Sequence, residues 1–295
     1  MAKADQRGAS AAIQRGRERL ERLRSDPVFV IAQFVLVAKI ALVLFAFDPF
    51  AADTFSLVKS TLSHAAGWAI AALLLALFAR HRGVVFSKSR VHVAAAAVVV
   101  TFALATVFAL DPTVALFGTS RRFLGLTHVL DEALVYTAAV MLIPTAADLR
   151  RIFVGLAAIF APVIAYGLLQ HLGLDVVRYA APTIRPISSV GQPDVLAGLL
   201  SIGVSTLAAV LVLRWTSMSA GARVALGVLA VLGFAVLAFT EVRNAILGLA
   251  GGLSVLAILW LRSSSAGLGS RMRCVGSGYV IAGALKPFRS SRQEE

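Results

Sequence analysis

VFVIAQFVLVAKIALVLFAF, residues 28–47, decides the fold. It runs for 20 residues with a single charge, Lys39. A helix rises about 1.5 Å per residue, so about 20 apolar residues cross a hydrocarbon core about 30 Å thick. Seven further runs of this kind follow, at 63–79, 91–110, 129–145, 152–171, 194–213, 222–240 and 243–262. In lipid the backbone must satisfy its own hydrogen bonds, which leaves helices or a closed barrel. Barrel strands are short and alternate in polarity, whereas these runs are long, continuous and rich in Ala and Leu. The sequence predicts an all-α, polytopic transmembrane helical bundle of about eight spans.

Composition agrees. The 295 residues are 59% hydrophobic, against about 45–50% for soluble domains. The breaks between runs carry turn chemistry at Asp48-Pro49, Asp111-Pro112, Pro182, Pro186 and Gly191-Gln192-Pro193. This organises the chain into a basic leader at 1–27, a membrane region at 28–262 and a Ser/Gly/Arg-rich tail at 263–295. Residues 13–24 read either as a basic amphipathic helix on the membrane surface or as a solvated leader. The single cysteine, Cys274, excludes an intrachain disulfide. The tail reads as a cytosolic extension or as the product of an interrupted reading frame.

Charge sets the orientation. Of the 28 Lys and Arg residues, 21 fall in the leader, alternate loops and tail, 6 fall in the intervening loops, and Lys39 lies within the first span. Positive charge is retained on the cytoplasmic side, so both termini are expected there. The net charge of +13 is then topology signal plus attraction to anionic lipid, and nucleic acid is not needed as a partner.

Cations are scarce on the outer side, and Arg122, Arg185 and Arg243 sit there beside turns or helix ends. Arginine keeps its charge in every setting and offers a planar fork for phosphate; three converging at one face would suit a diphosphate. The competing reading is three loop arginines reaching lipid phosphates. Lys39 near mid-bilayer should face the bundle or reach a partner, as a structural lysine or a functional one. Asp131 and Glu132 open the fourth span, where acidic side chains favour a helix N-terminus, so capping is expected. The histidines (His64, His81, His92, His128 and His171) show no metal spacing, and no metal or cofactor is expected; His128 is the weak catalytic candidate, being six residues from Arg122. GxxxxGK[ST], GxSxG and HExxH motifs are absent. Gly248, Gly251 and Gly252 predict close helix packing.

Three segments together resemble the O-antigen ligase and polymerase superfamily of bacterial membrane proteins. LFGTSRRFLGL, Leu116 to Leu126, is similar to its FGS-x-x-R-x-x-G-L stretch, with Arg122 and Gly125 on matching positions. RPISSVGQPDVLAGLL, Arg185 to Leu200, is similar to R-x-x-S-T-x-G-N-P-N-x-L-A-G. TEVRNAILGLAGG, Thr240 to Gly252, is similar to T-x-S-R-x-x-x-L-G. Gln192 and Asp194 stand where the second pattern has asparagines, and Val242 where the third has serine. Family members are usually longer, with a late outer loop that in the ligases bears a catalytic histidine, and no residue here takes that role. The resemblance implies a transferase at the outer face of a bacterial plasma (inner) membrane. Its donor would be a glycan on a polyprenyl diphosphate held by Arg122, Arg185 and Arg243, and its acceptor a lipid or glycan hydroxyl. Two other readings stand beside it: a transporter or flippase, and a truncated, non-catalytic scaffold.

Overall fold

The structure, a computed structural model, describes residues 20–48, 55–81, 89–119, 123–175 and 185–265, together with Gln14 and Glu18. Of the predicted amphipathic leader segment 13–24, Gln14, Glu18 and residues 20–24 are described and are helical; of the tail, only residues 263–265 are described. Among the described residues there is no strand, and the fold is all-α. The helices are α1 (Pro27–Phe45), α2 (Ser56–His81), α3 (Arg90–Val107), the short α4 (Pro112–Phe117), α5 (Leu126–Leu142), α6 (Ala146–His171), α7 (Pro193–Arg214), α8 (Ala220–Phe239) and α9 (Arg243–Ser265). Short 3-10 turns lie at Ser188–Val190 and Trp215–Ser217.

Seven of these helices, all but α4 and α5, are long and apolar enough to cross a membrane. The fourth expected span is α5, which has 17 residues and a length of about 25 Å. Helix starts follow local chemistry. Ser89 accepts a hydrogen bond from the Val91 amide ahead of α3. Asp111 accepts from Thr113 and Val114 ahead of α4, with Pro112 at the first helical position. Ser219 accepts from the Ala222 amide at α8.

The distribution of polarity is the reverse of a water-soluble protein. Phe34, Trp68, Leu75 and Ile202 point outward while Gln33, Lys39, Asp131 and Asp148 are buried. An apolar surface of this extent is unstable in water but costs little in lipid, whereas charge is costly in lipid and is sequestered inside. The chain is a multi-pass membrane protein.

Two compact units divide the chain. The first holds the residues to Lys39 and Ser63–Ile152. Its core joins Phe29, Ala32 and Leu36 of α1, Ile70, Leu74 and Leu77 of α2, and Ala138, Met141 and Leu142 of α5. Polar contacts fix the helix directions. Asp26, just before α1, meets Arg80 and His81 at the end of α2 at 3.2 and 3.0 Å. Gln33 donates to the Leu142 carbonyl at the end of α5 at 2.6 Å, and Arg24 pairs with Asp148 at the start of α6 at 3.1 Å. Hence α2 and α5 run antiparallel to α1, and α6 starts where α1 starts.

The Asp26 contact predicts a pH effect. Its carboxylate is held below the ordinary value of 3.8 by the Val28 amide first, then by His81 and Arg80. A depressed carboxylate contributes stability above its unfolded value and loses it as pH falls through the folded one. Thermal midpoints in detergent should therefore fall more for the wild-type protein than for Asp26→Asn as pH drops below about 4; parallel curves would sink this.

The second unit holds Ile40–Leu62 and the chain from Phe153 onward. Here α7 packs on α8 and α9. Leu196 and Leu200 of α7, Val163 and Ile164 of α6, and Val236 and Leu237 of α8 form its buried centre. The glycine expectation is met at Gly252, while Gly248 stands at ordinary contact distance. A Cβ on Gly252 would stand 2.9 Å from Ser205 Oγ, one on Gly248 would stand 3.4 Å from Ser201 Oγ, and Gly251 faces no neighbour within 4 Å. Small residues on both helices let α7 and α9 approach closely.

Candidate functional site

The second unit gathers two of the three expected arginines at one corner. Three pieces of chain meet there: the end of α6, the 185–191 turn, and the α8–α9 junction. Gln170, one residue before the end of α6, accepts hydrogen bonds through Oε1 from the Ile187 and Ser188 amides at 3.0 and 2.6 Å. Ser188 donates its hydroxyl to the Val163 carbonyl at 2.7 Å. Lys59 donates to the Ser189 carbonyl at 2.8 Å and to the Val43 and Leu44 carbonyls at the end of α1 at 2.7 and 3.1 Å. This lysine therefore caps carbonyls that the helix end leaves open.

The turn is buried from Ile187 to Val190 and has two left-handed residues, Ser188 at φ 48° and Gly191 at φ 92°. A Cβ on Gly191 would fall 2.4 Å from the Phe55 ring, so both the conformation and the space require glycine.

Arg185 leads into this turn and pairs with Glu241 at 3.3 Å, with both side chains at least half exposed. Glu241 lies between α8 and α9, two residues before Arg243, and is itself left-handed at φ 57°. Thr240 beside it is fully buried and donates to the Leu237 carbonyl at 2.6 Å. Close by, His171 stacks on Phe239 with ring centres 3.6 Å apart. An exposed ion pair of this kind is worth about 0–1 kcal/mol, so Glu241 holds Arg185 only weakly.

The first unit holds a second polar centre within the apolar helices. Lys39 donates to Asp131 Oδ2 at 2.6 Å, to the Ser63 carbonyl at 2.7 Å and to Ser63 Oγ at 2.8 Å. Ser63 donates its hydroxyl to the same carboxylate. The Lys39 and Asp131 side chains are 5% and 4% exposed. Gly67 makes room, because a Cβ there would lie 2.2 Å from Asp131 Oδ1. The expected partner for Lys39 is thus present. The capping role expected of Asp131 is not: it is the sixth residue of α5, whose N-cap is Gly125, and its carboxylate turns inward because the buried ammonium is the stronger attraction.

Of the four residues singled out in the sequence, Arg185 and Arg243 come to the same corner of the second unit. His128 is half-buried as the third residue of α5 in the first unit. Arg122 lies outside the described residues. Gln170, Ser188, Glu241 and Asp131 were not legible as site or core residues, because isolated polar residues in apolar surroundings do not name their partners. Comparison with protein families, with curated proteins and with solved structures finds no match to the chain.

Proposed function

We propose that the chain is an eight-span membrane protein of the O-antigen ligase or polymerase type. In this reading it transfers a polyprenyl-diphosphate-linked saccharide to a lipid or glycan acceptor at the outer face of a bacterial plasma membrane. One observation carries the reading. Among the described residues three non-glycine positions have positive φ, Phe123, Ser188 and Glu241, and one falls in each of the three segments that resemble the superfamily. Such conformations cost about 1–3 kcal/mol each and collect at functional sites. Two of these segments meet through the Arg185–Glu241 pair.

The roles follow from charge. A departing diphosphate gains negative charge as the glycosidic bond breaks, and preorganised cations stabilise it most at that moment. Arg185 and Arg243 would serve in this way; Arg122, by the resemblance, and His128, by its place in the sequence, are the further candidates for diphosphate binding and for proton transfer from the acceptor. The helix directions of the first unit support counting α5 as a crossing, which returns the chain to the cytoplasmic side after α9. Arg185→Ala and Arg243→Ala should each lower glycan transfer in reconstituted membranes about 100-fold or more while insertion is unchanged. Full transfer by both would overturn the reading.

A second reading, a transporter or flippase, is favoured by the Lys39–Ser63–Asp131 centre, since ionisable groups inside apolar helices often mark a transport path.

A further inference from the structure

The α7–α8 connection of the second unit holds a cluster that neither reading uses. Arg214 ends α7 and is exposed. Trp215 follows it in a 3-10 turn, 53% exposed. Arg223, in the first turn of α8, lays its guanidinium over that ring, with the central carbon 5.2 Å from the ring centre. Arg24, Arg80, Arg151 and Arg185 each have a carboxylate within ion-pair distance. Arg214 and Arg223 have none among the described residues, and Arg223 Nε is buried without a hydrogen-bond partner. The Ser219 hydroxyl accepts from the Ala222 amide and so is already engaged. Next to Arg223, Val224, Val228 and Val231 are 65%, 52% and 67% exposed; their i, i+4, i+7 spacing makes one outward apolar stripe on α8.

We infer that this corner is a binding site for an anionic phospholipid. The headgroup phosphate lies against Arg214 and Arg223, the Trp215 ring sits at the level of the glycerol backbone, and an acyl chain runs along the valine stripe. Two cations without a carboxylate at the edge of an apolar helix pair need a counter-charge, and a lipid phosphate supplies it where the helices leave the hydrocarbon core. Stacking on the ring orients the guanidinium plane and leaves its edge donors for phosphate oxygens. Tryptophan at a helix end is itself an interfacial anchor. A zwitterionic lipid carries its own ammonium beside the phosphate, so the site favours lipids of net negative charge. The proposed orientation places the corner at the cytoplasmic leaflet, where anionic lipids supply the negative surface potential.

The full chain carrying Trp68→Phe and Trp260→Phe has Trp215 as its one tryptophan. Its quenching in nanodiscs by brominated phosphatidylglycerol, against brominated phosphatidylcholine at equal mole fraction, reads the relative affinities. Attraction of about 1 kcal/mol per basic residue predicts a preference of about fivefold per arginine for the anionic lipid. Arg223→Gln and Arg214→Gln should each reduce the preference, and the double variant should abolish it with helix content unchanged. Should the double variant fail to reconstitute, salt provides the readout, because about 1 M salt shortens screening to about 3 Å and should erase the preference of the unmutated pair. Equal quenching by the two lipids, a preference retained in the double variant, or one that survives high salt would overturn the proposal.

Discussion

Asp131→Ala should destabilise the protein by about 3–5 kcal/mol. The substitution leaves the Lys39 ammonium buried with only the Ser63 carbonyl and hydroxyl as partners. Lys39→Met should cost a similar amount, since it strands the Asp131 carboxylate against the Ser63 hydroxyl alone. The double variant Lys39→Met/Asp131→Ala removes both charges. It should recover most of the loss, because a buried pair gains little over apolar side chains once neither charge remains. Unfolding in mixed detergent with increasing denaturing detergent, run on all four proteins, measures the coupling. Single losses below about 1 kcal/mol would show that the pair is hydrated rather than sequestered, and losses that add without recovery would show that the two residues act independently.

Gly191→Ala is expected to cost about 2–5 kcal/mol, from two separable causes. Its φ of 92° places an L-residue in a region costing about 1–2 kcal/mol, and the new methyl meets the Phe55 ring at 2.4 Å, an overpacking of about 1–3 kcal/mol. Phe55→Leu in the same chain should relieve the second part and leave the first. The turn also carries the Gln170 and Lys59 contacts that lead to Arg185, so the proposed transfer activity should fall along with stability. The same unfolding assay decides it: a loss under about 0.5 kcal/mol would mean that the turn relaxes freely and holds Arg185 in no fixed place.

Helix class and the positions of the long helices were legible along the chain, whereas the short α4 (Pro112–Phe117) falls where a turn was expected. The expected span 152–171 lies within α6 (Ala146–His171), 222–240 corresponds to α8 (Ala220–Phe239) and 243–262 to α9 (Arg243–Ser265). That legibility is physical, since an apolar run long enough to cross lipid has few alternatives and Pro, Gly and Asp mark its ends. Lys39 was legible as a residue that needs a partner, because the penalty for an unpaired ammonium in lipid does not depend on the fold.

The partner itself was not. Asp131 is 92 residues from Lys39 in sequence, and position alone recommended it as a cap. Likewise Arg185 and Glu241 meet only because α6, the 187–191 turn and the α8–α9 junction converge in the second unit. The sequence by itself determined that the chain is helical, where its helices lie and which residues could not stand alone in lipid, for these are consequences of local composition and solvent. Only the tertiary structure decided which polar groups satisfy one another. Pairing energies depend on distances of about 3 Å between atoms, and such distances between residues far apart in the chain are set by packing, not by pattern.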